Sequence, residues 1–360
     1  FKIKGDLDSP EQLQTSFRLN AVQLKRNQYQ LRKLFIAGDL QAQIITLDEI
    51  LLQDESGSAS GQADWCISRN DGRFDLNSDL HVQDFLNNCF DVKVLKDLTI
   101  IDTSPVLKIN GSFSSRKSGG FLVTANGHGN INKFSFLETD FDKLSSDFSW
   151  KDGDLYLRDL EIIREGDHLS GNIMRQGDQV RFDLMSSLPL KAFKPFIKAD
   201  GPLEEALSHV TFSENSTIAL DVIGTLYLGD RTDWSATGTV LLNDLTYKGT
   251  RFHHLATSYQ IAPDKAEFFD IEGLLNDDQE SIRRRYKSAA SDPIYVERIL
   301  HDLETNLITI ENLRGKAWAT PIVRIFAPDT AKHIEETYRF HSPPSLTLNG
   351  TFAEKKEDNN

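Results

Sequence analysis

A seven-residue pattern recurs four times along this chain and limits its fold more than any other feature. The clearest copy is Leu107-Lys108-Ile109-Asn110-Gly111-Ser112-Phe113. Phe1-Lys2-Ile3-Lys4-Gly5-Asp6-Leu7 opens the chain, Leu220-Asp221-Val222-Ile223-Gly224-Thr225-Leu226 follows, and Leu346-Thr347-Leu348-Asn349-Gly350-Thr351-Phe352 comes close to the end. Each reads apolar, any, apolar, any, Gly, polar, apolar. Successive glycines lie 106, 113 and 126 residues apart, so the fold is an array of similar units. Asn-Gly between alternating apolar residues can also mark a tight hairpin. The alternation runs straight through the glycine, however, and two copies have Lys4 or Ile223 in the Asn slot. A strand interrupted by Gly, where another backbone approaches closely, fits better.

A second marker has nearly the same period. Arg73-Phe74-Asp75-Leu76-Asn77-Ser78-Asp79-Leu80 matches residues 181–188 at six of eight positions. Asp152-Gly153, Glu165-Gly166-Asp167 and Gln176-Gly177-Asp178 punctuate alternating segments between the two, as short turns do in an antiparallel meander. Val82 to Phe90, Pro189 to Lys198, Gly201 to Val210 and Pro328 to about Tyr338 have helix-compatible spacing. In the third unit Val323 and Ile325 are expected where Phe182 and Leu184 stand in the second.

The fold class is therefore mainly β: tandem repeats of long antiparallel meander strands forming a curved, twisted groove, with short helices between repeats. The expected units are 1–105, 106–215 and 216–345, with 346–360 beginning a fourth and ending in a charged tail. Each holds five or six strands and closes on the next unit's first strand. Six strands span roughly 29 Å of sheet, and three units laid end to end about 85 Å.

Composition narrows the partners. Hydrophobic content of 39% with 26% charged residues is ordinary for a globular chain. A net charge of −14 argues against nucleic acid and anionic membrane surfaces. The basic run Arg283 to Lys287 follows acidic Asp277, Asp278 and Glu280 and reads as a solvated face. No apolar run approaches the roughly 20 residues of a membrane span. Phe1 is not an initiator, which points to a chain processed or trimmed upstream and leaves room for an anchor there. Cys66 and Cys89 have no diagnostic spacing and read as free, buried thiols.

No catalytic, cofactor or metal site is expected. Gly57-Ser58-Ala59-Ser60-Gly61 has Ala59 where a nucleophilic serine would sit. His128 and the pair His253-His254 lack a Cys or carboxylate at ligand spacing. Asp140 with Asp142, and Asp152 with Asp154, fall where alternation or a turn already calls for polar residues. What remains is shape: one face of the sheet is apolar and must be covered. Its own helices or a second sheet would make a sandwich or barrel, whereas an open curl would make a trough for acyl chains.

The run from Leu107 to Leu188 resembles the AsmA-like envelope proteins of Gram-negative bacteria, relatives of TamB and of the repeating β-groove lipid-transfer proteins. The resemblance rests on the Leu-x-Ile-Asn-Gly-Ser-Phe strand, residues 144–155, the strand Leu157-Arg158-Asp159-Leu160-Glu161-Ile162, and Leu169-Ser170-Gly171 ahead of Arg181-Phe182-Asp183-Leu184. It implies a periplasmic, non-enzymatic protein, anchored in the inner membrane outside this chain, that carries phospholipid between the two membranes. An outer-membrane protein is a further partner it suggests. The groove lining would then be Phe74, Leu76, Leu107, Ile109, Phe113, Leu155, Leu157, Ile162, Val180, Phe182, Leu184, Leu220 and Val222. An envelope scaffold or partner-binding β-array without lipid transport is the alternative.

Overall fold

A computed structural model describes residues 2–4, 14–26, 29–80, 98–101, 105–116, 120–193, 208–228, 233–275, 292–338 and 340–353. They fall into two compact units, Phe1–Gly177 and Asp178–Asn360. The first contains β1 (Lys2–Lys4), β2 (Gln14–Arg26), β3 (Tyr29–Gln41), β4 (Ile44–Gln53), β5 (Ser58–Cys66), β6 (Asp71–Ser78), β7 (Leu98–Ile100), β8 (Val106–Ser115), β9 (Phe121–Phe136), β10 (Thr139–Lys151), β11 (Asp154–Arg164) and β12 (Asp167–Gln176). Each is antiparallel to the next in space, with β6 pairing β8 directly and β7 extending the β8 edge of β9.

The second unit runs β13 (Gln179–Ser186), β14 (Val210–Tyr227), β15 (Trp234–Tyr247), β16 (Thr250–Ile261), β17 (Lys265–Leu275), β18 (Ile294–Asp302), β19 (Leu307–Lys316) and β20 (Ser345–Ala353), again a plain antiparallel meander. No pairing among the described residues joins the first strand of a unit to its last, so neither unit closes into a barrel. The protein is mainly β, as its alternation requires.

The four glycine copies explain the order. The described ones lie inside β8, β14 and β20, so none is a hairpin turn. Six-strand sets follow from them: β1 to β6, β8 to β13, β14 to β19, with β20 beginning another. One end of the strands carries short turns, such as Ala42-Gln43 and Asp152-Gly153. In each unit the other end carries the long connections, 79–105 in the first and 187–209, 276–293 and 317–344 in the second, and all but 276–293 follow the sixth strand of a set. Yet β6 pairs β8, β13 pairs β14 and β19 pairs β20, so the strands on either side of each of these three connections are neighbours in the sheet.

The connections contain α1 (Leu190–Phe193), α2 (Ala319–Phe326) and α3 (Pro328–Thr337). Pro328 stands at the first turn of α3, where its missing N–H costs nothing. Val323 and Ile325 correct one expectation, because they lie in α2 and not in a strand. A short apolar run fits either element by period alone. The strand slot belongs to Ile310, the partner of Gly350. Val210 likewise begins β14 rather than ending a helix. Residues 82–90, 194–198 and 201–207 lie outside the described set.

Mid-strand residues in left-handed conformation break the simple alternation. Gln23, Lys133, Asp159, Asp244, Asp270 and Asn312 all have φ between 44° and 56° inside strands. Each is followed by an apolar residue: Leu24, Phe134, Leu160, Leu245, Ile271 and Leu313, the last five of them buried. The ladder slips by a residue at Asp159, Asp270 and Asn312, which marks β-bulges. The inserted residue lets two apolar side chains three apart, such as Leu157 and Leu160, share one face. Opposite two bulges a hydroxyl closes the gap: Ser146 Oγ donates to the Arg158 carbonyl at 3.0 Å, and Thr257 Oγ1 to that of Phe269 at 3.0 Å. Asp and Asn tolerate this conformation better than most L-residues.

Candidate functional site

Directly opposed residues in an antiparallel pair share a face, so the register gives the composition of each face. In the first unit one continuous row runs Leu19, Ile36, Ile50, Gly61, Leu76, Ile109, Gly127, Phe148, Leu157, Ile173 from β2 to β12. It holds eight apolar side chains and two glycines, with no polar side chain, over roughly 43 Å at the usual strand spacing. A neighbouring row contains Phe17, Gly38, Leu47, Ala63, Phe74, Gly111, Ala125, Trp150 and Leu155. Leu107 and Gly129 pair in the next, and Leu144 with Ile162 beyond it.

The second unit repeats this arrangement. Leu184, Val222, Gly238, Tyr259, Phe268, Ile299, Ile310 and Gly350 form one row from β13 to β20. The Tyr259 hydroxyl donates to the Asp221 carbonyl at 3.2 Å. Burial first, and the Asp221 charge second, push the phenol up to about 12, so it stays a neutral donor. Its polar end is thus occupied and its ring serves the apolar row.

All thirteen lining candidates stand half-buried on the apolar face of their own unit: Phe74, Leu76, Leu107, Ile109, Phe113, Leu155, Leu157 and Ile162 in the first, and Val180, Phe182, Leu184, Leu220 and Val222 in the second. They are flanked by strand neighbours but not sealed beneath another layer. In the second unit burial is most extensive toward the end of the long connections. There Leu245, Phe252, Ile271, Leu313 and Ile310 pack with Ile322 of α2 in the second unit. Thr250 Oγ1 donates to the Pro321 carbonyl at 2.6 Å and pins the helix to β16. In the second unit, therefore, helix α2 covers one end of the face.

The glycines sit on the apolar face for a steric reason. A Cβ on Gly111 would overlap the Thr124 carbonyl oxygen and stand 2.6 Å from the Phe74 ring. One on Gly224 would overlap the Phe182 ring and stand 2.6 Å from the Ser235 carbonyl oxygen. Aromatic rings lie across the glycines, and the strands close up on that side. The sheet can curl toward a face thinned in this way.

The opposite face is polar. Lys143 pairs with Glu161 at 2.6 Å and His128 with Asp147 at 2.7 Å, both substantially exposed. A depression of about 560 Å³ includes Gln62, Asp64, Arg73, Asp75, Asn110 and Asn126, and no His or Cys lines it. Among the described residues no group of three His, Cys, Asp or Glu could hold a metal. Cys66 is a free, buried thiol, and Cys89 lies outside the described set. No helix among the described residues is long and apolar enough to cross a membrane.

Two carboxylates hold the framework. Burial works to raise the Asp54 carboxyl, but hydrogen bonds from Ser56, Tyr29 and Gly57 more than offset it and lower it on balance. Glu267 is buried between Arg298 at 2.5 Å and Lys265 at 3.2 Å. The Arg298 hydrogen bond outweighs the opposing effect of burial and, with Lys265, holds Glu267 below the usual carboxylate range. A lowered folded-state value means stability that is present above the unfolded value and lost as pH falls through the folded one. Glu267→Gln is therefore expected to cost about 1–2 kcal/mol at neutral pH. Urea unfolding of both forms should show that gap closing once the pH passes below the usual carboxylate range, and a gap that persisted in acid would refute the assignment.

No protein-family model, curated protein or solved structure matches the chain.

Proposed function

We propose that this chain is a non-enzymatic, AsmA-like protein of the bacterial envelope whose apolar β-face holds phospholipid acyl chains between the inner and outer membranes. The observation that carries this reading is the row from Leu19 to Ile173, apolar across ten strands and half-exposed along its length. An open apolar surface of this extent marks an interaction site. Protein partners normally demand a hydrogen bond per 100–200 Å² of interface, and the row offers no side-chain donor or acceptor. An acyl chain makes no such demand. The sequence resemblance favours the same ligand and a periplasmic setting.

Mass spectrometry of protein purified gently from membranes is expected to find phospholipid bound to it. A preparation that is lipid-free and also refuses a fluorescent acyl probe would sink this reading.

A further inference from the structure

We propose that the short-turn end of the first unit's apolar face docks on the surface of a zwitterionic lipid bilayer through Trp65, Phe121 and Trp150. This rests on the acyl-lipid reading above and names where the face meets its ligand. Among the described residues of that unit these are the exposed aromatics, at 38%, 52% and 37%, and all three stand at the same end of the strands. They also share the apolar face. Trp65 pairs with Gly72, and Gly72 with Phe113. Phe121 meets Phe113 edge-on at 5.7 Å, and Trp150 pairs with Ala125 and Leu155.

The other end of this face is different. Phe134, Phe141, Leu160 and Leu169 are buried there. Large aromatic rings left in water at one end, beside a closed opposite end, form an amphipathic edge. Such rings settle at the boundary between headgroups and acyl chains, where ring and polar tip both find partners. Trp65 already has its polar tip occupied, since Nε1 donates to Asn70 Oδ1 at 3.2 Å. Its ring can enter the boundary without an unsatisfied N–H.

Charge selects the surface. Arg69, in the turn after Trp65, pairs with Asp71 at 3.0 Å. Arg116, in the turn before Phe121, pairs with Asp152, two residues after Trp150. Those arginines are compensated locally, so anionic headgroups gain little from them, and a zwitterionic surface loses nothing. Docked this way, the apolar rows run parallel to the bilayer surface, the one through Phe74, Ala125 and Trp150 nearest to it, and an acyl chain reaches them past the aromatics.

The test uses the full chain and phosphatidylcholine vesicles. Flotation should recover the protein with the vesicles, and brominated acyl chains should quench its tryptophan emission. The combined variant Trp65→Gln, Phe121→Gln, Trp150→Gln should bind vesicles on the order of tenfold more weakly or worse, while still taking up an acyl probe presented in detergent micelles. Added phosphatidylglycerol or salt should change wild-type binding little. A protein that carries acyl lipid but ignores vesicles overturns the docking proposal and leaves the lipid reading standing. Loss of both lipid and vesicle binding overturns both. Vesicle binding that survives the triple substitution, or vanishes with salt, also overturns the proposal, because the aromatics would then not be the anchor.

Discussion

Gly111→Val and Gly224→Val are expected to destabilise the fold strongly, whereas Gly350→Val, in the same sequence pattern, is expected to be nearly silent. At Gly111 the added carbon would meet a backbone oxygen of β9 and the Phe74 ring; at Gly224 it would meet the Phe182 ring and a backbone oxygen of β15. Backbone held in a ladder on both sides has little room to yield. Overpacking of this kind costs about 2–3 kcal/mol, which should lower the melting temperature by about 4–12 °C in a unit of this size. Nothing lies within 4 Å of a Cβ built on Gly350. There β20 has β19 on one side and, among the described residues, no strand on the other. Thermal unfolding followed by circular dichroism distinguishes the cases, and equal shifts at 111 and 350 would contradict this account.

Ile109→Asp should remove bound acyl lipid, while Lys108→Asp beside it should not. The two positions are adjacent in β8 but face opposite ways: Ile109 stands in the row between Leu76 and Gly127, and Lys108 between Asn77 and His128. A carboxylate in the row must lose water to touch an acyl chain, a cost of several kcal/mol. Affinity should fall on the order of a hundredfold. Ile109 is only half-buried, so the fold should survive, and unfolding curves of both variants check that. Titration with a fluorescent acyl probe reads the contrast. Similar losses from both substitutions would mean that the face has no part in binding.

Much of this architecture could be read from the residues, and the limits of the reading are instructive. Alternation through Leu107, Ile109, Gly111 and Phe113 placed them on one face because strand period is a local property. Asp152-Gly153 and Glu165-Gly166 announced their turns, and both pairs have positive φ. Ala42-Gln43 and Leu137-Glu138 adopt the same conformation without any Gly or Asn to mark them. The mid-strand bulges were harder. Asp159 reads as an ordinary outward polar residue, and only the slipped register against β10 shows that it resets the alternation for Leu160 and Ile162. A compact signature was present in hindsight: apolar, any, Asp or Asn, Leu or Ile, as at 157–160, 242–245, 268–271 and 310–313. The ten-strand row was beyond sequence reach, since it depends on nine registers between segments far apart in the chain.

Six is an even number, and that parity shapes what the chain can become. After each set the backbone has crossed back to where it began, so within a unit every long excursion leaves from the same border. Sets of five or seven would throw successive excursions to alternate borders. Duplication of a whole set therefore adds roughly 29 Å of sheet and ends on the border from which it began, which makes sheet width the easiest property of this design to vary by inheritance.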